Sequence, residues 1–217
     1  LMAVFLWEPR TRASMTQAQF EHDTMSFRPR QLVFVCLLAV VLGLVFLTVP
    51  VHFGYLHGAI GVQSPAQIGM AYAINSLGVI SGTLLFGWVI GAKLKVPFQL
   101  AIGALIAGAG FVMMEHAHDY TVLTTAGLIN GLGCGILLPA MVTWNMRDLP
   151  VSRRGMGTGA YQSCQFFGMF INPVLIVALE KELGGARVQA IGLEGLVLTG
   201  LGVLALLVGL LHKGRSR

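Results

Sequence analysis

Residues Leu32–Leu47 read LVFVCLLAVVLGLVFL, a run without a charged, hydroxyl or amide side chain and with a single glycine at Gly43. Together with its flanks it extends an uncharged segment over residues 31–52, enough helix to cross a hydrocarbon layer about 30 Å thick. The other chain geometry that satisfies its backbone in lipid is a closed β-barrel, whose strands alternate polar and apolar side chains with a period of two. Neither this run nor GLVLTGLGVLALLVGLL at Gly195–Leu211 alternates. The stretch therefore predicts a membrane-spanning helix.

Five further segments pass the same test: residues 68–91, 96–114, 121–145, 157–179 and 191–211. The predicted fold class is an all-α membrane protein with six transmembrane helices. Composition agrees. Hydrophobic residues make up 55% of the chain and charged residues 11%, against roughly 25% charged in soluble domains. The net charge of +5 does not point to nucleic acid, because the basic residues lie in short clusters between apolar runs and form no continuous stripe. Cys36, Cys134 and Cys164 each sit inside an apolar run, and three such cysteines make no disulfide framework.

The organisation follows. Residues 1–7 read as the end of a preceding transmembrane helix whose start is missing, and residues 8–30 as a cytoplasmic linker rich in charge, Ser and Thr. Residues 31–212 form the six-helix bundle and 213–217 a cytoplasmic tail. Charge asymmetry orients it, since short cytoplasmic loops collect Lys and Arg. Arg10, Arg12, Arg28, Arg30, Lys93, Lys95, Arg147, Arg153, Arg154, Lys213, Arg215 and Arg217 fall on one side, and Lys181 and Arg187 on the other. Twelve against two places the linker and the C-terminus in the cytoplasm of a plasma or inner membrane.

In lipid, helices associate through small residues and polar contacts. Gly127, Gly131 and Gly135 recur every four residues in the fourth span, and Gly78 and Gly82 do so in the second. These mark packing seams, as do Gly103 with Ala107 and Ala104 with Gly108 in the third. In the fifth span, Gln162, Gln165, Met169 and Asn172 are spaced by three, four and three, so they share a helical face. Gly157, Ala160, Cys164 and Gly168 form a second stripe. Three amides on one face suggest a wet cavity wall, with interhelical hydrogen bonding as the alternative. Tyr72, Asn75 and Ser76 on the second span and Asn130 with Cys134 on the fourth add to the candidate wall. Spans three and six carry only Gln99, Glu194 and Thr199, which suits a peripheral position. Pro50, Pro139 and Pro173 fall within spans and predict bends.

An arginine-rich loop, MRDLPVSRRGMGTGAYQ, leads into the glycine-rich fifth span that ends in GMFINP, and six spans follow a basic linker. The order and spacing of these features resemble the C-terminal half of a major facilitator superfamily transporter, over essentially the whole chain. The resemblance implies two inverted three-helix repeats, spans one to three and four to six. It also implies that spans one, two, four and five border the substrate path, and that this half rocks against a missing N-terminal half. The cytoplasmic loop GWVIGAKLK departs from the family signature: Gly87 and Lys95 fit, but Gly91 stands where an acid belongs and Ala92 where the first base belongs. The loop-gating candidates are therefore Lys93, Lys95, Arg147, Asp148, Arg153 and Arg154.

The acids Glu115, Asp119, Glu180, Glu182 and Glu194 all read as lying near non-cytoplasmic span ends. If protons are the coupling ion, the titrating carboxylate is expected in the missing half. A wall of amides, Tyr, Met and Phe favours a neutral or lipophilic small molecule, including drug-like efflux, over a strongly anionic solute. In EHAHDY, His116 and His118 lack a third ligand at metal spacing and read as a solvated loop. His52 and His57 read as interfacial, just beyond the first span. No cofactor, metal site or catalytic group is indicated, so an enzyme ranks below a transporter. A structural membrane protein stays open as the alternative.

Overall fold

In a computed structural model, which describes residues 29–147, 149, 153–185 and 187–214, six long helices run in antiparallel succession. They are α1 (Pro29–Ala59), α2 (Pro65–Leu85, continued to Lys93), α3 (Val96–Glu115), α4 (Tyr120–Arg147), α5 (Arg154–Glu182) and α6 (Arg187–Gly214). All six are long and apolar enough to cross a membrane. The readings made for residues 1–7, for 8–28, for Asp148 and for 215–217 lie outside the described residues.

Each connection has a local cause. Gly61, at φ +84°, ends α1, with the Val62 N–H bonding the His57 carbonyl at 2.9 Å. That is a left-handed glycine stop. Gly184 and Gly185 end α5 in the same way, and the Gly185 N–H reaches the Glu180 carbonyl at 2.7 Å. Asp119 caps α4 by accepting the Val122 N–H at 2.9 Å. Gln99 is buried and donates to the Leu94 carbonyl at 2.8 Å, closing the α2–α3 turn. Within α2 a π turn spans Phe86–Ile90, and the Gly91 N–H bonds the Phe86 carbonyl. It lies just before Lys93, in the loop that departs from the family signature.

The strongest helix pairings are α1 with α5, α2 with α4, α3 with α4, and α3 with α6. Exchanging α1–α3 for α4–α6 converts α1·α5 into α4·α2 and returns α3·α6 to itself, as two inverted repeats require. Only α3·α4 lacks a close counterpart, because α1 and α6 scarcely touch. Between them opens an apolar cleft of about 400 Å³, lined by Phe34, Leu42, Pro97, Met141, Trp144 and Leu204 among others.

Glycine explains the close pairs. A methyl group on Gly78 would press on the Leu128 carbonyl, on Gly82 on Leu132, on Gly131 on Asn75, and on Gly135 on Val79. Gly168 meets the Val40 backbone and Gly43 meets Gln165, so α1 and α5 approach backbone to backbone as well. Gly127 has a different neighbour, the Phe53 ring of α1, and Gly157 packs on Leu149 of the α4–α5 loop. Gly78→Val is expected to lower stability by about 1–3 kcal/mol through overpacking. Gly69→Ala, at a helical position with open space around it, is expected to raise it by a few tenths to about 1 kcal/mol. Denaturation of the detergent-solubilised protein by SDS measures both.

Candidate functional site

The polar side chains on spans two, four and five divide by what they touch. Tyr72 of α2 reaches α1, where its hydroxyl accepts the Gly54 N–H at 3.3 Å and donates to the Pro50 carbonyl at 3.1 Å. A hydroxyl thus stands between two groups that an unbroken helix would pair four residues apart, at the proline that already weakens the ladder. Asn75 donates to the Gly127 carbonyl at 2.7 Å and ties α2 to α4. Ser76 is exposed and bonds back to the Tyr72 carbonyl. Asn130 is buried and aims at α3, donating to the Ala107 carbonyl at 3.0 Å.

On α5 the single wet face read from the sequence separates into two. Gln165 and Asn172 are buried on the side where Gly168 meets α1, so two of the three amides lie with the packing stripe. Gln162 is exposed and Met169 half-buried. The uncovered face carries Gln162, Ser163, Phe166, Phe167 and Phe170, with Phe170 78% exposed. The reason is geometric. Positions 165, 168 and 172 follow one ridge of the helix, and the glycine at its centre brings α1 against that ridge.

Asn172 is fully buried and donates to the Leu44 carbonyl at 2.9 Å and to Thr48 Oγ1 at 2.7 Å, both on α1. Thr48 Oγ1 also lies 2.7 Å from Glu194 Oε2 on α6. The sequence placed Glu194 near a span end. In the structure α6 starts at Arg187, so Glu194 sits about two turns inside it. His52 and His57, read as interfacial, are instead inside α1 and buried, because the helix runs through Pro50 to Ala59. The His57 ring packs on Phe53 and on Tyr120. Arg187 pairs with Glu180 at 2.8 Å and lies 4.0 Å over the Tyr55 ring, closing one end of the bundle. Thr48, His52 and Glu194 were not among the sequence candidates. A carboxylate within the sixth apolar segment is the one signal that could have singled out Glu194, and nothing local marks Thr48 as its partner.

At the other end, Lys93, Lys95 and Arg147 are exposed. Arg154 is exposed and donates to the Leu149 carbonyl at 3.4 Å, Arg153 is half-buried, and Asn145 donates to the Gly157 carbonyl at 3.4 Å. Among the described residues, no three His, Cys, Asp or Glu side chains could hold a metal ion.

A sequence profile of the Major Facilitator Superfamily matches residues 1–173. The chain belongs to the Major Facilitator Superfamily. Within this superfamily it is similar to monocarboxylate transporter 9 of Gallus gallus, at 32% identity over 111 residues, which is 51% of this chain and 20% of the relative. It is similar also to a triacylglyceride transporter of Mycolicibacterium smegmatis, at 31% identity over 106 residues, 42% of this chain and 18% of the relative. The alignments thus cover about a fifth of these superfamily relatives. Superfamily membership and six apolar helices make the chain an integral, multi-pass membrane protein.

The buried and exposed amides should respond differently to truncation. Asn172→Ala is expected to cost about 0.6–2 kcal/mol of bundle stability, since it removes bonds between helices in lipid. Gln162→Ala should leave stability unchanged. Denaturation curves for the two variants, run side by side, check the contrast.

Proposed function

We propose that this chain forms the C-terminal half of a secondary active transporter that moves a neutral or lipophilic small molecule by alternating access. The partner half would be a second six-helix bundle of the same transporter. The observation that carries this reading is the uncovered face of α5, which presents Gln162 with Phe166, Phe167 and Phe170 and no charge. α2 and α5 are also the least covered helices of the six, and α4 the most covered. Two under-covered helices flanking a buried one leave a surface on which a second bundle and a cavity fit.

The substrate class follows from what the wall offers. Carboxylate substrates are best held by Arg or Lys. Among the described residues, the cations lie at helix ends, and His52 and His57 are buried against α1's own neighbours. Aromatic rings with one amide suit an apolar body with a polar handle. The name of the triacylglyceride transporter is compatible with such a ligand, and that of monocarboxylate transporter 9 describes the competing anionic class. Basic residues gathered at one end of the bundle support a cytoplasmic C-terminus under the positive-inside rule, with a plasma or inner membrane as the proposed location. A drug-like amphiphile fits this wall, and efflux of such a molecule is part of the proposal.

The test is transport by the full-length protein in proteoliposomes. Gln162→Ala should reduce transport of an uncharged amphiphile about 2–10-fold, the loss of one ligand hydrogen bond, with unchanged folding. Transport of a short monocarboxylate that is faster and insensitive to Gln162→Ala would overturn the neutral-substrate reading. No transport of either class, by a protein shown to be folded, would favour a structural role.

A further inference from the structure

The apolar cleft between α1, α3, α4 and α6 has a volume of about 400 Å³, in the range of cavities that hold small ligands. Among the described residues, none of α2 or α5 lines it, so it is separate from the face proposed to meet the substrate. Every lining residue is apolar. Water bound in such a place would need about two to four polar partners, which this lining does not offer.

The cleft is long and runs with the helices. Its lining covers residues 34–42 of α1 and 198–208 of α6, which at about 1.5 Å per residue is roughly 12–15 Å. The hydrocarbon of one leaflet is about 15 Å deep, half of a core of about 30 Å. Leu42, Ala104, Leu137 and Leu198 form the floor. Thr48 and Glu194 join α1 to α6 one to two turns beyond that floor, and Arg187 over the Tyr55 ring joins them again at the far end. The mouth, with Phe34, Val96, Trp144 and Val208, lies toward the helix ends that carry Lys95 and Arg147. Phe34 and Trp144 meet edge to face there at 6.0 Å, and a tryptophan suits the level where hydrocarbon gives way to headgroups.

Three cations from three helices stand around that mouth. Arg30 lies one turn before Phe34 on α1, Lys95 directly precedes Val96 at the start of α3, and Arg147 lies three residues past Trp144 on α4. All three are exposed. Spacings of four and three residues put Arg30 and Arg147 on the same helical faces as the two rings. Among the described residues, Glu115, Asp119, Glu180 and Glu182 lie at the opposite end of the bundle and Glu194 beyond the floor, so no described acid stands at this end. An apolar slot one leaflet deep beneath a ring of positive charge matches an acyl chain beneath an anionic headgroup.

We propose that the cleft is a binding site for an anionic phospholipid: one acyl chain fills it down to Leu42 and Leu198, and the phosphate sits among Arg30, Lys95 and Arg147. The lipid is drawn from the leaflet on the Lys95 side. Naming that leaflet cytoplasmic rests on the orientation given above; the site itself does not. Along this stretch α1 and α6 scarcely touch, and the bound chain joins them through dispersion contacts. It fits the folded bundle and not the unfolded chain, so its binding stabilises the protein.

Photolabelling of the full-length protein in phosphatidylcholine bilayers tests both parts. The probes are a phosphatidylglycerol and a phosphatidylcholine, each with a diazirine at the end of one acyl chain and each present in trace. The phosphatidylglycerol probe should label the residues around Leu42, Leu137 and Leu198, and unlabelled phosphatidylglycerol should compete for that site. Ala205→Phe, which fills the cleft from α6, should abolish this label, whereas Val203→Phe, on the exposed face of the same helix, should leave it. Leu201→Trp, also in the lining, serves if Ala205→Phe fails to fold. Arg30→Gln, Lys95→Gln and Arg147→Gln should each weaken phosphatidylglycerol binding about 5-fold, the loss of one cation at a membrane surface, and leave the phosphatidylcholine probe unchanged. Label spread evenly over the exposed faces of α5 and α6, and unmoved by the filling variants, overturns the site. A cleft left unlabelled by both probes overturns it too, and is the outcome expected if residues 8–28 cover the mouth. Equal labelling by both probes, indifferent to the three charge variants, overturns the anionic headgroup.

Discussion

Two helices in hydrocarbon gain nothing from hiding apolar side chains from each other, so this bundle depends on how closely their backbones can approach. At Gly78, Gly82, Gly131 and Gly135 the α2–α4 seam leaves no room for a Cβ, and Gly43 with Gly168 does the same for α1–α5. Dispersion contacts along such seams are individually small and sum to a large term. They also fix which polar groups can meet. Asn75 reaches the Gly127 carbonyl because Gly131, one turn further along α4, lets the Asn75 backbone close against that helix.

The same constraint explains the asymmetry. α3 has two glycine faces: Gly103 and Gly110 meet α4, while Gly108 meets α6. α1 has one, at Gly43, and it is used by α5. Nothing comparable draws α6 onto α1, so their polar contacts shrink to the Thr48–Glu194 bond and Arg187 over the Tyr55 ring, and an apolar cleft stays open between them. α1 is therefore held rigidly on one flank and loosely on the other. It is also the helix into which Tyr72 inserts its hydroxyl above Pro50. Backbone weakened by proline and spliced by a side chain from α2 suits a helix that bends as the bundle moves.

The spans were legible because hydrophobic length is a signal that tertiary context does not override in lipid. Most helix ends fall within one turn of the predicted limits, the largest extension being α1, which continues about two turns through His57 to Ala59. Those histidines looked interfacial because polarity suggests water, whereas here His57 is packed among aromatic rings, its Nδ1 bonded to the Phe53 carbonyl and its Nε2 buried without a hydrogen-bond partner. The amide face of α5 was half legible. Spacing put Gln162, Gln165 and Asn172 on a common side, but a face about 100° wide can be cut by one neighbour, and Gly168 brings α1 into it. Glu194 was hidden for a related reason. Its partner Thr48 lies 146 residues away, and no periodicity within α6 could announce it.

The proposed function requires α5 to turn its uncovered face to an aqueous cavity and not to lipid. Replace Cys36, Cys134 and Cys164 by Ser in the full-length protein, then introduce Gln162→Cys, Phe166→Cys and Phe170→Cys singly, with Leu193→Cys, Val203→Cys and Leu207→Cys on α6 as the comparison. Label right-side-out and inverted vesicles with a membrane-impermeant thiol reagent. The account predicts reaction at the α5 positions from at least one side and none at the α6 positions. Equal protection of both sets would mean that α5 faces lipid or protein, and would contradict it.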